Sequence, residues 1–422
     1  GGIPPKSPRR LAMSVKRTAG GMEAVINSFQ WDDSDLAGTV TYRDSQPPRF
    51  DLVINRGSLS LLPWEEAAGH PKKELPRRES KDFITRTAEA SADFVSSLLL
   101  APLRLITEDE DKTSPGQKLF SASPLPFDWL TGYEGSIKGK LATLTSQLGS
   151  AHDLIFSASL AEGRLGVEAS VGQFNGGTVD TRGSLDTTVQ PPRIELTGSF
   201  NGVLSAPGRK SFPRSGYASL TSQGGSEAAL AANLNGLVYL QLGAGPLDYR
   251  NLRLLTATVA TNVIETLIPG AKKRQPKLQC AASLMTFHDG LGTTPYGYAA
   301  RTKEANLVGR IQIDLRKELL QLDFSSSSRK GLGFSVGSMF ANTVQVEGPL
   351  TDPKIVPRAS SLLWRGWAAV VTGGLSVLGE SVLKRALASD DPCDAVNEHI
   401  RKDLCKAGQP TASSPLVCPA NS

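Results

Sequence analysis

Between positions 136 and 200 the chain places an apolar residue at every second position within each run between turn signals. Leu154, Phe156, Ala158 and Leu160 alternate with mostly polar neighbours, Glu162-Gly163 turns the chain, and Leu165, Val167, Ala169 and Val171 alternate again. After Asn175-Gly176-Gly177 come Val179 through Leu185 and then Val189; Pro191-Pro192 interrupts, and Ile194, Leu196 and Phe200 follow with Glu195, Thr197 and Ser199 between them. A period of two sends alternate side chains to opposite faces of a sheet. The pattern predicts a β-meander whose strands each have a greasy side and a wet side.

The flanking segments repeat or close this pattern. Residues 1–17 are Pro-rich and basic and read as an unstructured lead-in or the loose end of a truncated strand. Strand periodicity starts at Met22, with Val25, Asn27, Phe29 and Trp31 as one alternating face, and continues through Leu36 to Tyr42 and Phe50 to Ile54 around a break at Gln46-Pro47-Pro48. A different period marks the insertion 63–118. There Phe83, Ile84, Thr87, Ala88, Ala92, Val95, Leu98 and Leu99 recur at steps of mostly three or four after a Ser80 N-cap, which predicts an amphipathic helix over 80–100. Such a helix packs on the sheet, covers a greasy opening or lies on a membrane. Pro124 and Pro126 exclude a central strand in LFSASPLPFDWL. Beyond Phe200 the pattern predicts a short helix from Ser226 ended by Gly236, a strand over 237–242, a helix over 252–268, and strands over 278–287, 306–315, 319–325 and 343–347. An apolar helix over 360–388, with Leu362, Leu363, Trp364 and Trp367, precedes a Cys-containing tail, and Arg365, Glu380, Lys384 and Arg385 weigh against its spanning a bilayer.

This arrangement is mainly β: a curved antiparallel meander forming an elongated groove, with helices at its ends and in an insertion. It divides into an N-terminal β segment (1–62), the insertion (63–118), a main groove domain (119–358) and an apolar helix with its tail (359–422). The size of 422 residues, with 39% hydrophobic and 21% charged, suits a globular chain with a sizeable core. A net charge of +5 from 46 basic and 41 acidic residues is too small to argue for nucleic acid. Of the four cysteines, Cys280 falls in a strand and Cys393, Cys405 and Cys418 in the tail, with no C-x-x-C pair to hold zinc. Tail disulfides in an oxidising compartment and buried or free thiols both fit that spacing. The opening Gly-Gly-Ile-Pro carries neither a Met nor a signal peptide and reads as a chain lacking its true start.

The order of features resembles the C-terminal part of the AsmA-like family of bacterial envelope proteins. The resemblance runs from about Val25 to Cys393. It is carried by Asp33-Ser34-Asp35-Leu36-Ala37-Gly38, by Leu119-Phe120-Ser121 with Pro124-Leu125-Pro126-Phe127, and by the helix-to-strand step from Leu230 to Leu237. Leu278-Gln279-Cys280 to Asp289-Gly290, Val346-Glu347-Gly348 to Pro353-Lys354-Ile355-Val356-Pro357, and the tail Asp391-Pro392-Cys393 extend it. It implies a periplasmic protein anchored in the bacterial inner membrane through a segment outside this chain, with an apolar β-groove that moves phospholipid and supports outer-membrane biogenesis. The implied partners are phospholipid, a membrane surface met through the apolar helices, and other envelope proteins. The family's N-terminal membrane helix has no counterpart here, and the insertion 63–118 is a further departure.

Catalytic readings are weak. Gly333-Phe334-Ser335-Val336-Gly337 fits G-x-S-x-G but lacks the strand before and helix after that a nucleophile elbow needs, so it reads as a turn. His70, His152, His288 and His399 are scattered, and neither a triad nor a metal site emerges. Lys72-Lys73 and Lys272-Lys273-Arg274 read as solvated loops. The sequence therefore predicts a non-enzymatic protein without cofactor. Its acyl-chain groove is lined by Leu154, Phe156, Leu165, Val167, Val179, Leu185, Ile194 and Leu196. The competing reading is a scaffold for outer-membrane protein assembly that carries no cargo, and its core would be fully packed.

Overall fold

The computed structural model describes residues 10–31, 33–62, 118–146, 149–204, 212–246, 277–329, 342–356, 382–383 and 385–406. The protein is mainly β, a long meander. It forms two compact units whose division falls within one strand, Arg193–Gly198 belonging to the first and Ser199–Gly202 to the second. The helices expected over 80–100 and 252–268, and all but the last residues of that over 360–388, lie outside the described residues, as does Ser335.

The first unit contains β1 (Arg10–Thr18), β2 (Gly21–Trp31), β3 (Ser34–Arg43), β4 (Arg49–Ser60), β5 (Glu134–Ser146), β6 (Gly149–Ala161), β7 (Arg164–Phe174), β8 (Gly177–Asp186) and the first half of β9 (Arg193–Val203). From β1 to β8 each strand pairs with the next, antiparallel except for β4 with β5, which run parallel. A parallel pair needs a crossover rather than a hairpin, and the long connection from 61 to 133 supplies the length. Two-residue turns close β6 onto β7 and β7 onto β8. Their central residues, Glu162-Gly163 and Asn175-Gly176, all have positive φ, from 45° to 88°, the geometry whose twist matches that of the strands it joins.

Residues 10–18 form a strand, the second of the two readings open for this basic segment, and not an unstructured lead-in. Leu11, Met13 and Val15 alternate along β1, and β2 supplies its hydrogen-bonding partner. The alternating face expected for Val25, Asn27, Phe29 and Trp31 is also corrected. A bulge between Ile26 and Phe29 inserts one residue, so Phe29 lies on the face of Ile26 and Val25 on the opposite one.

In the second unit β10 (Arg214–Gln223), α1 (Glu227–Ala232), β11 (Asn235–Leu242), β12 (Gly245–Pro246), β13 (Lys277–His288), β14 (Leu291–Thr293), β15 (Tyr298–Thr302), β16 (Ala305–Asp314), β17 (Leu319–Ser328), β18 (Asn342–Pro349) and β19 (Lys354–Val356) precede α2 (Pro392–Lys406). Ser226 caps α1 by accepting from the Ala229 N–H at 3.2 Å. The helix ends at Asn233 rather than at Gly236, which lies within β11. What read as a tail contains α2. Its start follows the helix-entry rules: Pro392 occupies the first turn, and Asp391 Oδ1 accepts from the Cys393 and Asp394 N–H groups at 3.1 and 3.2 Å.

α2 covers one face of this sheet. Val396, Ile400 and Leu404 pack with Val382, Ala386 and Leu387 against Tyr217, Tyr239, Leu284, Ala299 and Val308. Polar contacts fix the docking: Tyr239 Oη donates to Asn397 Oδ1 at 3.0 Å and Asn306 Nδ2 to the Ser389 carbonyl at 2.9 Å, while Arg301 pairs with Asp391. Burial raises the Tyr239 phenol well above its ordinary value, so it stays protonated as a donor. A disulfide between Cys280 of β13 and Cys393 of α2 closes a sequence separation of 113 residues. The strand cysteine thus pairs with the tail, and Cys405 is disulfide-bonded as well. Ile313, Leu320, Leu322, Val344 and Val346 form a second cluster on the other face.

Replacing Cys280 and Cys393 together by Ala should lower unfolding stability of the second unit by roughly 2–5 kcal/mol. Denaturant titration reads the loss, and limited proteolysis should cut the variant first around α2.

Candidate functional site

Register decides which side chains share a face, and in the first unit it lines them up in complete rows. One row runs Arg17, Met22, Tyr42, Phe50, Gly135, Leu160, Leu165 and Leu185 across β1 to β8. On the same face the next row is Val15, Ala24, Val40, Leu52, Ile137, Ala158, Val167 and Gly183, and a third is Met13, Ile26, Gly38, Ile54, Gly139, Phe156, Ala169 and Thr181. Of these three rows of eight, only Arg17 is charged. The intervening rows point the other way. Lys16, Glu23, Thr41, Asp51, Ser136, Ser159, Gly166 and Ser184 form one, and Ser14, Val25, Thr39, Val53, Lys138, Ser157, Glu168 and Arg182 the other. One face of the sheet is therefore apolar over eight strands, about 34 Å at the usual strand spacing, and the other is polar.

The sequence-nominated residues lie on the apolar face. Leu154 stands level with Val171 and Val179, and Leu165 with Leu185. Ile194 and Leu196 alternate in β9 with Glu195, which lines a shallow depression on the polar face with Ser157, Glu168 and Arg182. Their coverage divides them. Leu154, Leu165, Val167, Val179 and Leu185 are buried, Leu185 completely, whereas Phe156, Ile194 and Leu196 are half-buried. The open part of the face lies toward β1, where Val15 is 56% exposed, Met22 51%, Phe50 48% and Ile137 42%. Sequence reasoning passed over these residues, although the alternation in RLAMSVKRT signalled the first of them.

Glycines shape the floor. A Cβ on Gly139 would stand 2.7 Å from the Phe156 ring and 3.0 Å from Ile54 Cβ, so the ring lies across the bare backbone of its cross-strand partner. Phe50 stacks at 5.0 Å on Tyr42 and lies 6.4 Å from Tyr133, placing an aromatic group at the Arg17 end.

On the polar face Arg49 donates to Asp51 at 3.0 Å and Ser136 Oγ donates to it at 2.7 Å. The Arg49 hydrogen bond is the main reason the Asp51 carboxyl sits below its ordinary range, with Ser136 adding to it. The one metal-like cluster among the described residues is Cys280, Asp391 and Cys393. The disulfide consumes both thiols, which leaves one carboxylate and no cation site. No helix among the described residues is long and apolar enough to cross a membrane.

No protein-family model matches the chain, and neither a curated protein nor a solved structure does.

Gly139→Ala should cost about 1–3 kcal/mol by forcing the Phe156 ring off the sheet. Gly166→Ala on the polar face, whose added methyl meets only Ser159 Oγ at 3.5 Å, should be neutral or mildly stabilising. Thermal unfolding of the two variants reads the contrast. Asp51→Asn should be less stable than the parent at pH 7. A depressed carboxyl stabilises above its unfolded value, about 3.9, and that contribution is lost as pH falls through the lower folded value. The gap between the two proteins should therefore narrow below pH ~4 in acid-unfolding curves.

Proposed function

We propose that the protein holds or conducts phospholipid acyl chains along the apolar face of the β1–β8 sheet, as a non-enzymatic component of the bacterial envelope that serves outer-membrane biogenesis. The observation carrying this reading is the three apolar rows in register over eight strands, with Met13, Val15, Met22, Phe50 and Ile137 exposed on them. An acyl chain gains about 0.8 kcal/mol per buried methylene from any such surface. Successive positions are nearly equivalent, so a chain can be held and still slide. The Cys280–Cys393 disulfide and the bonded Cys405 favour an oxidising compartment, in keeping with the periplasm. The resemblance to the AsmA-like family points the same way. A scaffold without cargo is the second reading, favoured by the burial of Leu165, Val167 and Leu185 under the protein's own atoms.

Photo-crosslinking residues at Ile137 and Ile155 separate the two. Both positions are exposed and they lie on opposite faces of neighbouring strands. Lipid should label from 137 and not from 155, and Ile137→Asp should reduce co-purified lipid in native mass spectra by about tenfold, because a carboxylate opposes apolar contact. Equal labelling from both faces, or none from either, leaves the scaffold.

A further inference from the structure

The first apolar row ends on a cation. Arg17 stands at the β1 end of Met22, Tyr42 and Phe50, is exposed, and makes no ion pair among the described residues. The carboxylate nearest in register, Glu23, is opposite Lys16 on the other face. A guanidinium at the margin of an apolar surface suits an amphiphile: the alkyl chain lies on the rows while the anionic head meets the fork of N–H donors. Arg forms paired, charge-assisted hydrogen bonds to phosphate oxygens. The aromatic group of Tyr42, Phe50 and Tyr133 at the same end gives the interfacial mixture of apolar ring and polar tip found where lipid head meets lipid tail.

The geometry points to Arg17 as the binding residue for the phosphate of a phospholipid whose acyl chain lies across Val15, Ala24, Val40 and Leu52. This assignment rests on the acyl-chain reading above and adds an orientation to it. A bound lipid has its head at Arg17, beside the turn between β1 and β2, and its chain runs from Val15 toward Leu52.

Lys16 is the internal control, being the next residue of the same edge strand with the same charge and the opposite face. The test measures binding of two single-chain lipids that share one acyl chain, lysophosphatidic acid and monoacylglycerol, at physiological salt, where the Debye length is about 8 Å. The parent protein should bind the phosphate-bearing lipid about fivefold more tightly. Arg17→Gln should abolish that preference and leave monoacylglycerol binding unchanged, and Lys16→Gln should keep it. A preference that survives Arg17→Gln, or is lost equally in Lys16→Gln, overturns the assignment. If the parent binds both lipids equally, Arg17 has no such role and the acyl-chain reading stands. If it binds neither, both fall.

Discussion

Cross-strand hydrogen-bond register is the constraint on which the first unit depends. Because side chains alternate with a period of two, a slip of one residue between any pair of strands would exchange a whole row. It would bring Glu23, Thr41 and Asp51 into line with Val15 or Val40, and leave charges facing the apolar side. The parallel β4–β5 pair is where the register is most exposed to error, since no tight turn sets it. There the alignment of Phe50 with Gly135, Leu52 with Ile137 and Ile54 with Gly139 carries the apolar face across a long connection. The bulges of β2 and β4 fall beyond the third row, toward Phe29 and Leu36, so they bend the strands without putting the rows out of phase.

Within those rows, side-chain size decides where the face is open. Leucine and valine from β6 to β8 meet one another across short hairpins and cover themselves. Toward β1 the rows contain Ala24, Gly38, Gly135 and Gly139, too small to cover their neighbours, and Met13, Val15 and Phe50 are left exposed. The Phe156 ring lying over Gly139 is intermediate: it shields backbone while staying low, since the glycine leaves it room to lie flat. An exposed apolar surface of this kind in a folded chain marks an interaction site.

Much of this was legible in the residues. The alternation in β6, β7 and β8 and the Glu162-Gly163 and Asn175-Gly176 turns state their own geometry, and the strands over 278–287 and 306–315 appear within a residue of their expected bounds. What failed to show was non-local. The Ile26–Phe29 bulge is defined by its partners in β1 and β3, and the Cys280–Cys393 pairing depends on where α2 docks. Charge left β1 undecided: a single strand flanked by Arg and Lys looks equally like a solvated arm until β2 is seen to pair with it. The eight nominated side chains share the apolar face, but alternation measures orientation and not coverage. It could not separate buried Leu185 from exposed Phe50.

The second unit shows that this chain has the means to cover a sheet. There α2, held by a disulfide, by Tyr239 and Asn397 and by Arg301 and Asp391, closes a face that includes Leu284 and Val308. Among the described residues, no such element closes over the exposed rows of β1 to β5, which is what the proposed reading needs. On the proposed reading, the two kinds of contact on this surface have different consequences. Methylenes meet Val15, Val40 or Ile137 with nearly equal energy, which favours movement along the rows. A phosphate meets one guanidinium, which favours one orientation and one end. A surface combining many weak equivalent contacts with a single polar stop would, on that reading, let acyl chains travel while registering the head at the Arg17 end.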